Sequence, residues 1–137
     1  MTKIFLILVI TAALIWAEGE DDIGFSISAG NTMQSTTAGE TVHFKITLVN
    51  SSSSGAIYTL KTIPVKSPSG WSTMICQGGV CSPVSEMQTT EVPAGGSLAL
   101  EFSVITEEAG KGIYRFQVFP QSSPAKTRTY KFTVTAE

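Results

Sequence analysis

The chain is poor in the residues that do chemistry. It has one histidine, His43, and its only two aspartates, Asp21 and Asp22, sit side by side near the amino terminus. A single imidazole excludes multi-histidine metal centres, and a hydrolytic triad would need His43 to meet a serine and one of few carboxylates. His43 alternates with apolar neighbours and is expected on the outward face of a strand, as a surface residue. Paired-carboxylate glycosidase chemistry would fall to the scattered Glu40, Glu86, Glu91 and Glu101, whose spacing suggests no pair. Charged residues make up 15% of the chain and its nine lysines and arginines form no block, so the footprint of a nucleic-acid binder is missing. No glycine-rich turn enters a helix, which excludes the usual phosphate cradle. Two cysteines and one histidine, even with Met74 and Met87 as soft ligands, make no recognisable zinc or copper pattern. No cofactor and no metal are expected.

A long apolar run is also missing. The stretch from Ile4 to Trp16 is about 13 residues, against the roughly 20 that a membrane-spanning helix needs. With Lys3 before it and the small residues Ala17 and Gly19 after it, the stretch reads as a signal peptide over residues 1–17, with cleavage near 17–19. Residues 18–22 then form an acidic tail, and 23–137 one domain. The remaining chain, about 120 residues, is enough to bury a single core. The expected location is secreted, periplasmic or at the cell surface, where disulfides persist, with no membrane span in the mature chain.

What the chain does have is alternation with a period of two, and no helical stripe. Ile23, Phe25 and Ile27 lead into a turn at Ala29-Gly30-Asn31. The clearest strand places Val42, Phe44, Ile46 and Leu48 on one face and His43, Lys45, Thr47 and Val49 on the other. A further strand runs from about Ala56 to Ile63, and Pro64 to Gly70 breaks the pattern. Boundaries between Trp71 and Val92 are weak. After Pro93-Ala94-Gly95-Gly96, Leu98, Leu100, Phe102 and Val104 point inward while Ser97, Ala99, Glu101 and Ser103 point to solvent. Tyr114, Phe116 and Val118 and then Tyr130, Phe132 and Val134 repeat the inward pattern. The expected fold is all-β: an immunoglobulin-like, mainly antiparallel two-sheet sandwich of about seven or eight strands with hairpin and Greek-key connections.

The order of a Gly-Glu turn into Val42 to Asn50, a Gly70-Trp71 segment, a Pro-Ala-Gly-Gly turn before Leu98 to Val104, and Gly112-Ile113-Tyr114-Arg115-Phe116 resembles immunoglobulin-like accessory modules of exported prokaryotic proteins, of the kind called NEW3 or CARDB-like domains. The resemblance implies a noncatalytic spacer, adhesion or binding module. Gly112-Ile113-Tyr114 also looks like a tyrosine corner, in which the phenol bonds back to the preceding turn. The intersheet disulfide of antibody domains is absent, since Phe44 or Ile46 and Phe116 take the positions its cysteines would fill.

Cys76-Gln77-Gly78-Gly79-Val80-Cys81 is the most specific local signal. A two-residue turn at Gly78-Gly79 would pair Gln77 with Val80 and then Cys76 with Cys81, with Cα atoms about 4.5 to 5.5 Å apart, so a disulfide fits. Its loop is short and its stabilisation modest, roughly 2 kcal/mol. A structural staple is favoured over a redox-active pair, because the spacing is not Cys-x-x-Cys and no nearby cation is evident in the sequence. Trp71, in a loop before this hairpin, is expected in the core, with a binding anchor as the alternative. Trp71, Gln77 and Val80 together form the candidate binding loop. Asn50-Ser51-Ser52 matches a glycosylation sequon, without meaning in a bacterium. The expected function is binding: of another protein, of a glycan, or of copies of itself through edge strands in a filament or surface assembly. A small secreted protease inhibitor and a thiol-disulfide enzyme are the remaining alternatives.

Overall fold

The computed structural model describes residues 23–137, so the expected signal peptide and acidic tail lie outside the described residues. Among the described residues ten strands follow one another: β1 (Phe25–Ala29), β2 (Met33–Thr36), β3 (Thr41–Asn50), β4 (Tyr58–Lys66), β5 (Ser72–Gln77), β6 (Val80–Ser82), β7 (Glu86–Gln88), β8 (Ser97–Ile105), β9 (Gly110–Pro120) and β10 (Arg128–Ala136). They form two five-stranded sheets, β1-β3-β8-β5-β6 and β2-β10-β9-β4-β7. The fold is an all-β, immunoglobulin-like sandwich. The count exceeds the seven or eight strands read from the sequence because β2, β6 and β7 are only four, three and three residues long, too short for alternation to register.

All pairings but one are antiparallel. The exception is β2, which runs parallel to β10. The chain leaves β1 in the first sheet and crosses to the second at Gly30-Asn31, where the Asn31 side-chain oxygen accepts the Met33 N–H at 3.1 Å. Such a local turn redirects the chain at little cost. The open sides of the sandwich are laced shut by side chains. Tyr130 of β10 donates its hydroxyl to the Ile27 carbonyl at 3.1 Å, and Gln34 of β2 donates its side-chain amide to the His43 carbonyl at 2.7 Å.

The inward faces of the long strands supply a core rich in phenylalanine. Phe44 and Phe102 from the first sheet meet Phe116 and Phe132 from the second, all fully buried. The closest pair is Phe44 and Phe132, with ring centroids 4.4 Å apart, and Phe102 contacts Phe44, Tyr114, Phe116 and Phe132. Each such pair adds about 0.5–1.5 kcal/mol beyond the area it buries.

Three local expectations are corrected. First, Pro64 does not end its strand: β4 continues to Lys66, with a register shift against β9 between Pro64 and Lys66. The Thr62 N–H points toward the β7 side, to the Ser85 carbonyl. Pro64, two residues on, faces the same side past the end of β7, so its missing N–H disrupts no pairing. Second, Ser103 has no exposure although it lies on the outer face, because His43 covers it. Third, the Tyr114 hydroxyl does not reach back to its preceding turn. It bonds Ser67 at 2.8 Å, in the connection that leads from β4 to β5.

Trp71 is 8% exposed, in keeping with the core reading. Its indole N–H donates to the Glu108 carbonyl at 2.8 Å, and its ring lies over Gly110 and Gly112 at the start of β9. A Cβ at Gly112 would fall 2.7 Å from the indole Cζ3 and 2.8 Å from the Tyr114 ring, so glycine here makes room for tryptophan. Gly112→Ala is expected to cost about 1–3 kcal/mol in urea unfolding, as overpacked cores do, and to cost less in a Trp71→Phe background where one obstructing atom is gone. Burial raises the Tyr58 phenol above its ordinary 10.0, and it raises Tyr114 against a smaller lowering by Ser67. The unfolded chain therefore loses these protons first. Their contribution to stability is intact below pH 10 and declines as the pH climbs from there through the folded-state values, which unfolding curves paired with phenolate absorbance would record.

Candidate functional site

The cysteine hairpin forms as its spacing requires. Gly78 and Gly79 have φ of 59° and 80°, the two positive angles of a type I′ turn, and Gln77 pairs with Val80 and Cys76 with Cys81. The cysteines are joined, with Cα atoms 4.0 Å apart, closer than the 4.5 to 5.5 Å expected.

The candidate binding loop does not assemble. Trp71 immediately precedes β5 and the hairpin follows it, so they stand about 20 Å apart at opposite ends of a six-residue strand. Trp71 is in the core, as above. Gln77 is a tie between the sheets: its amide donates to the Gln88 carbonyl at 3.0 Å and its oxygen accepts the Thr90 N–H at 3.2 Å. Val80 alone is presented to solvent, at 68% exposure.

The structure instead gathers two other groups. On the outer face of the first sheet, cross-strand pairing sets His43 beside Ser103, and Lys45 beside Glu101, which in turn lies beside Cys76. The His43 Nδ1 lies 2.9 Å from the Ser103 hydroxyl and 3.1 Å from the Glu101 carboxylate. A serine, a histidine and a carboxylate thus converge, but not as a triad. Both partners use the same ring nitrogen, whereas a triad needs the serine on one nitrogen and the acid on the other, and this serine is buried. Next to them, Lys45, Thr47, Cys76, Cys81, Ala99 and Glu101 line a shallow depression of about 440 Å³. Lys45 is the cation that the sequence neighbourhood of the cysteines lacks.

The second group is at the end of the sandwich where β1 begins. The β3–β4 and β9–β10 connections and Glu91 surround a depression of about 330 Å³, lined by Ser52, Ser54, Glu91, Gln121, Ser122 and Lys126 over Tyr58 and Ile57. The serine-rich loop is held by Asn50, which has no exposure. Its side-chain N–H groups donate to the Ser54 and Val92 carbonyls, each at 2.9 Å, and its oxygen accepts the Ser52 N–H at 3.0 Å and hydroxyl at 2.6 Å. The sequon at Asn50 is thus a loop-folding device, a use to which the local bonding habit of asparagine points as readily as glycosylation. Glu91 and Lys126 line the same depression without an ion pair to each other. Sequence reading weighed Glu91 only among scattered glutamates and did not join it to Lys126, since 35 residues of chain separate them.

No family model matches the chain, and no curated protein matches it. Solved structures do. The N-terminal domain of PorA is 20% identical, covering 82% of this chain and 97% of that one, with a TM-score of 0.56. A conjugative transposon lipoprotein from Bacteroides eggerthii is 14% identical over 81% of this chain and 96% of its own, at 0.54. A family 123 glycoside hydrolase from Clostridium perfringens reaches 0.60 at 10% identity, and there the match spans 83% of this chain but only 27% of the hydrolase. At these identities the likeness is one of fold.

Replacing Asn50 with alanine removes four hydrogen bonds and empties a fully buried polar site, although the Val92 carbonyl keeps the Ala56 N–H and the Ser54 carbonyl keeps the Ser52 hydroxyl. The expected cost is about 2–4 kcal/mol in chemical denaturation, with faster amide exchange over Ser51 to Ser54 as the local signature.

Proposed function

We propose that the protein is a noncatalytic recognition module that works outside the cytoplasm and holds a segment of another polypeptide in the depression at the β1 end. The observation that carries this reading is the loop fixed by Asn50, which presents preset hydroxyls and carbonyls between a carboxylate and an ammonium that do not satisfy each other. Peptide groups and peptide charges match such a lining. A sugar would want an aromatic face to stack on, and the one aromatic at this depression, Tyr58, is 1% exposed. Recognition without turnover is supported by the single-nitrogen contact of His43, which leaves the serine and carboxylate near it without a relay. The likeness to NEW3 or CARDB-like modules belongs to the same proposal. Self-assembly through edge strands is the weaker reading: the edges β1, β2, β6 and β7 are five residues or fewer, and short edges pair poorly with other chains.

The test is to screen the labelled domain against arrayed peptides and arrayed glycans, then map the hits by amide shifts. Peptide hits should move Ser52, Ser54, Gln121 and Ser122, and Glu91→Lys or Lys126→Glu should each weaken them by about tenfold or more without changing stability. Glycan hits on those same amides would replace the polypeptide reading. Shifts confined to other surfaces would overturn the site altogether.

A further inference from the structure

We propose that the outer face of the first sheet holds a site for a divalent metal of the zinc type, closed by the Cys76–Cys81 disulfide and opened by its reduction. The two sulfurs and a carboxylate oxygen of Glu101 lie within 4.8 Å of one another. Tetrahedral zinc takes thiolates at about 2.3 Å and carboxylates at about 2.0–2.2 Å, so its ligand atoms stand about 3.6–3.8 Å apart. Glu101 is already in place opposite Cys76, and the sulfurs need only separate once their bond is broken.

The hairpin is built to allow that separation. β6 is the edge of its sheet and pairs with β5 alone, and a Cβ at Gly78 or Gly79 would touch nothing within 4 Å, so the tip is unpacked. Glu101 is held by His43 at 3.1 Å and by Ser103 at 3.4 Å, both on Oε2, which leaves Oε1 for the metal. His43 is thus a positioning residue, of the kind that outer hydrogen bonds provide at metal sites. Lys45 lines the same depression. Cys81 is exposed, so water completes the fourth position.

The chemistry balances with a dithiol as reductant. One of its thiolates attacks the disulfide, the second resolves the mixed disulfide, and two electrons and two protons pass to Cys76 and Cys81 as the reductant closes its own S–S bond. The metal then displaces both thiol protons to solvent. Exchange with the disulfide form of that dithiol takes the two electrons back, closes Cys76–Cys81 and expels the ion.

Cobalt(II) is the probe. The oxidised protein should give no thiolate-to-cobalt charge-transfer band. After reduction by a water-soluble phosphine, which takes oxygen from water while two hydrogens go to the sulfurs, one equivalent of cobalt should produce the band and zinc should abolish it. Cys76→Ser should stay silent. Glu101→Gln, which keeps both cysteines and the hairpin, should bind about tenfold more weakly or worse, and His43→Ala should lose about tenfold. No band after reduction, with strand signal retained in circular dichroism, overturns the proposal, as does a Glu101→Gln variant that binds cobalt as tightly as the parent.

Discussion

The aromatic contact between the two sheets is the constraint on which the other features depend. Phe102 reaches from the first sheet into a nest formed by Tyr114, Phe116 and Phe132 of the second, and Phe44 stacks on Phe132 beside it. Because these rings sit on the central strands β3, β8, β9 and β10, they fix the spacing and mutual rotation of the sheets. The lacing bonds from Tyr130, Gln34 and Gln77 are useful only at that spacing. They are weak individually, and they bridge the sandwich because the rings have already brought its sides together.

Much of this architecture was legible in the chain. Long strands with one apolar face, such as Val42 to Leu48, announce themselves because burial of alternate residues leaves a pattern strong enough to read. The Gly78-Gly79 turn was legible for a different reason: two adjacent glycines between Gln77 and Val80 ask for positive φ, and the cysteine pairing follows by counting outward. The short strands were not legible. β2 reads Met-Gln-Ser-Thr and is held by one parallel neighbour rather than by an apolar stripe. The ends of β5 were equally hidden, since nothing in the spacing of Trp71 and Cys76 says that a full strand lies between them.

The candidate sites were least legible, because both are assembled from distant segments. Glu91 and Lys126 come to one depression only because the Ala56–Val92 bridge ties the β7–β8 connection to the β3–β4 loop and the second sheet brings the β9–β10 connection beside them. Glu101 meets Cys76 only through the register of β8 with β5, and His43 meets Glu101 only through the register of β3 with β8. A strand pairing is a long-range fact, and the residues it joins carry no mark of it locally. The hairpin and the polar end of the sandwich therefore occupy separate surfaces, one a sheet face and the other a set of loops.

The buried amide of Asn50 has a consequence for where this chain can be made. Both of its N–H groups are spoken for, and the atom has no room around it once the strands close. A eukaryotic secretory host reads Asn50-Ser51-Ser52 while the polypeptide is still threading into the lumen, before any sheet exists, and a sugar attached then can never be accommodated by the finished fold. In such a host folding and oligosaccharide transfer compete for one nitrogen, and a chain modified there cannot close this end of the sandwich.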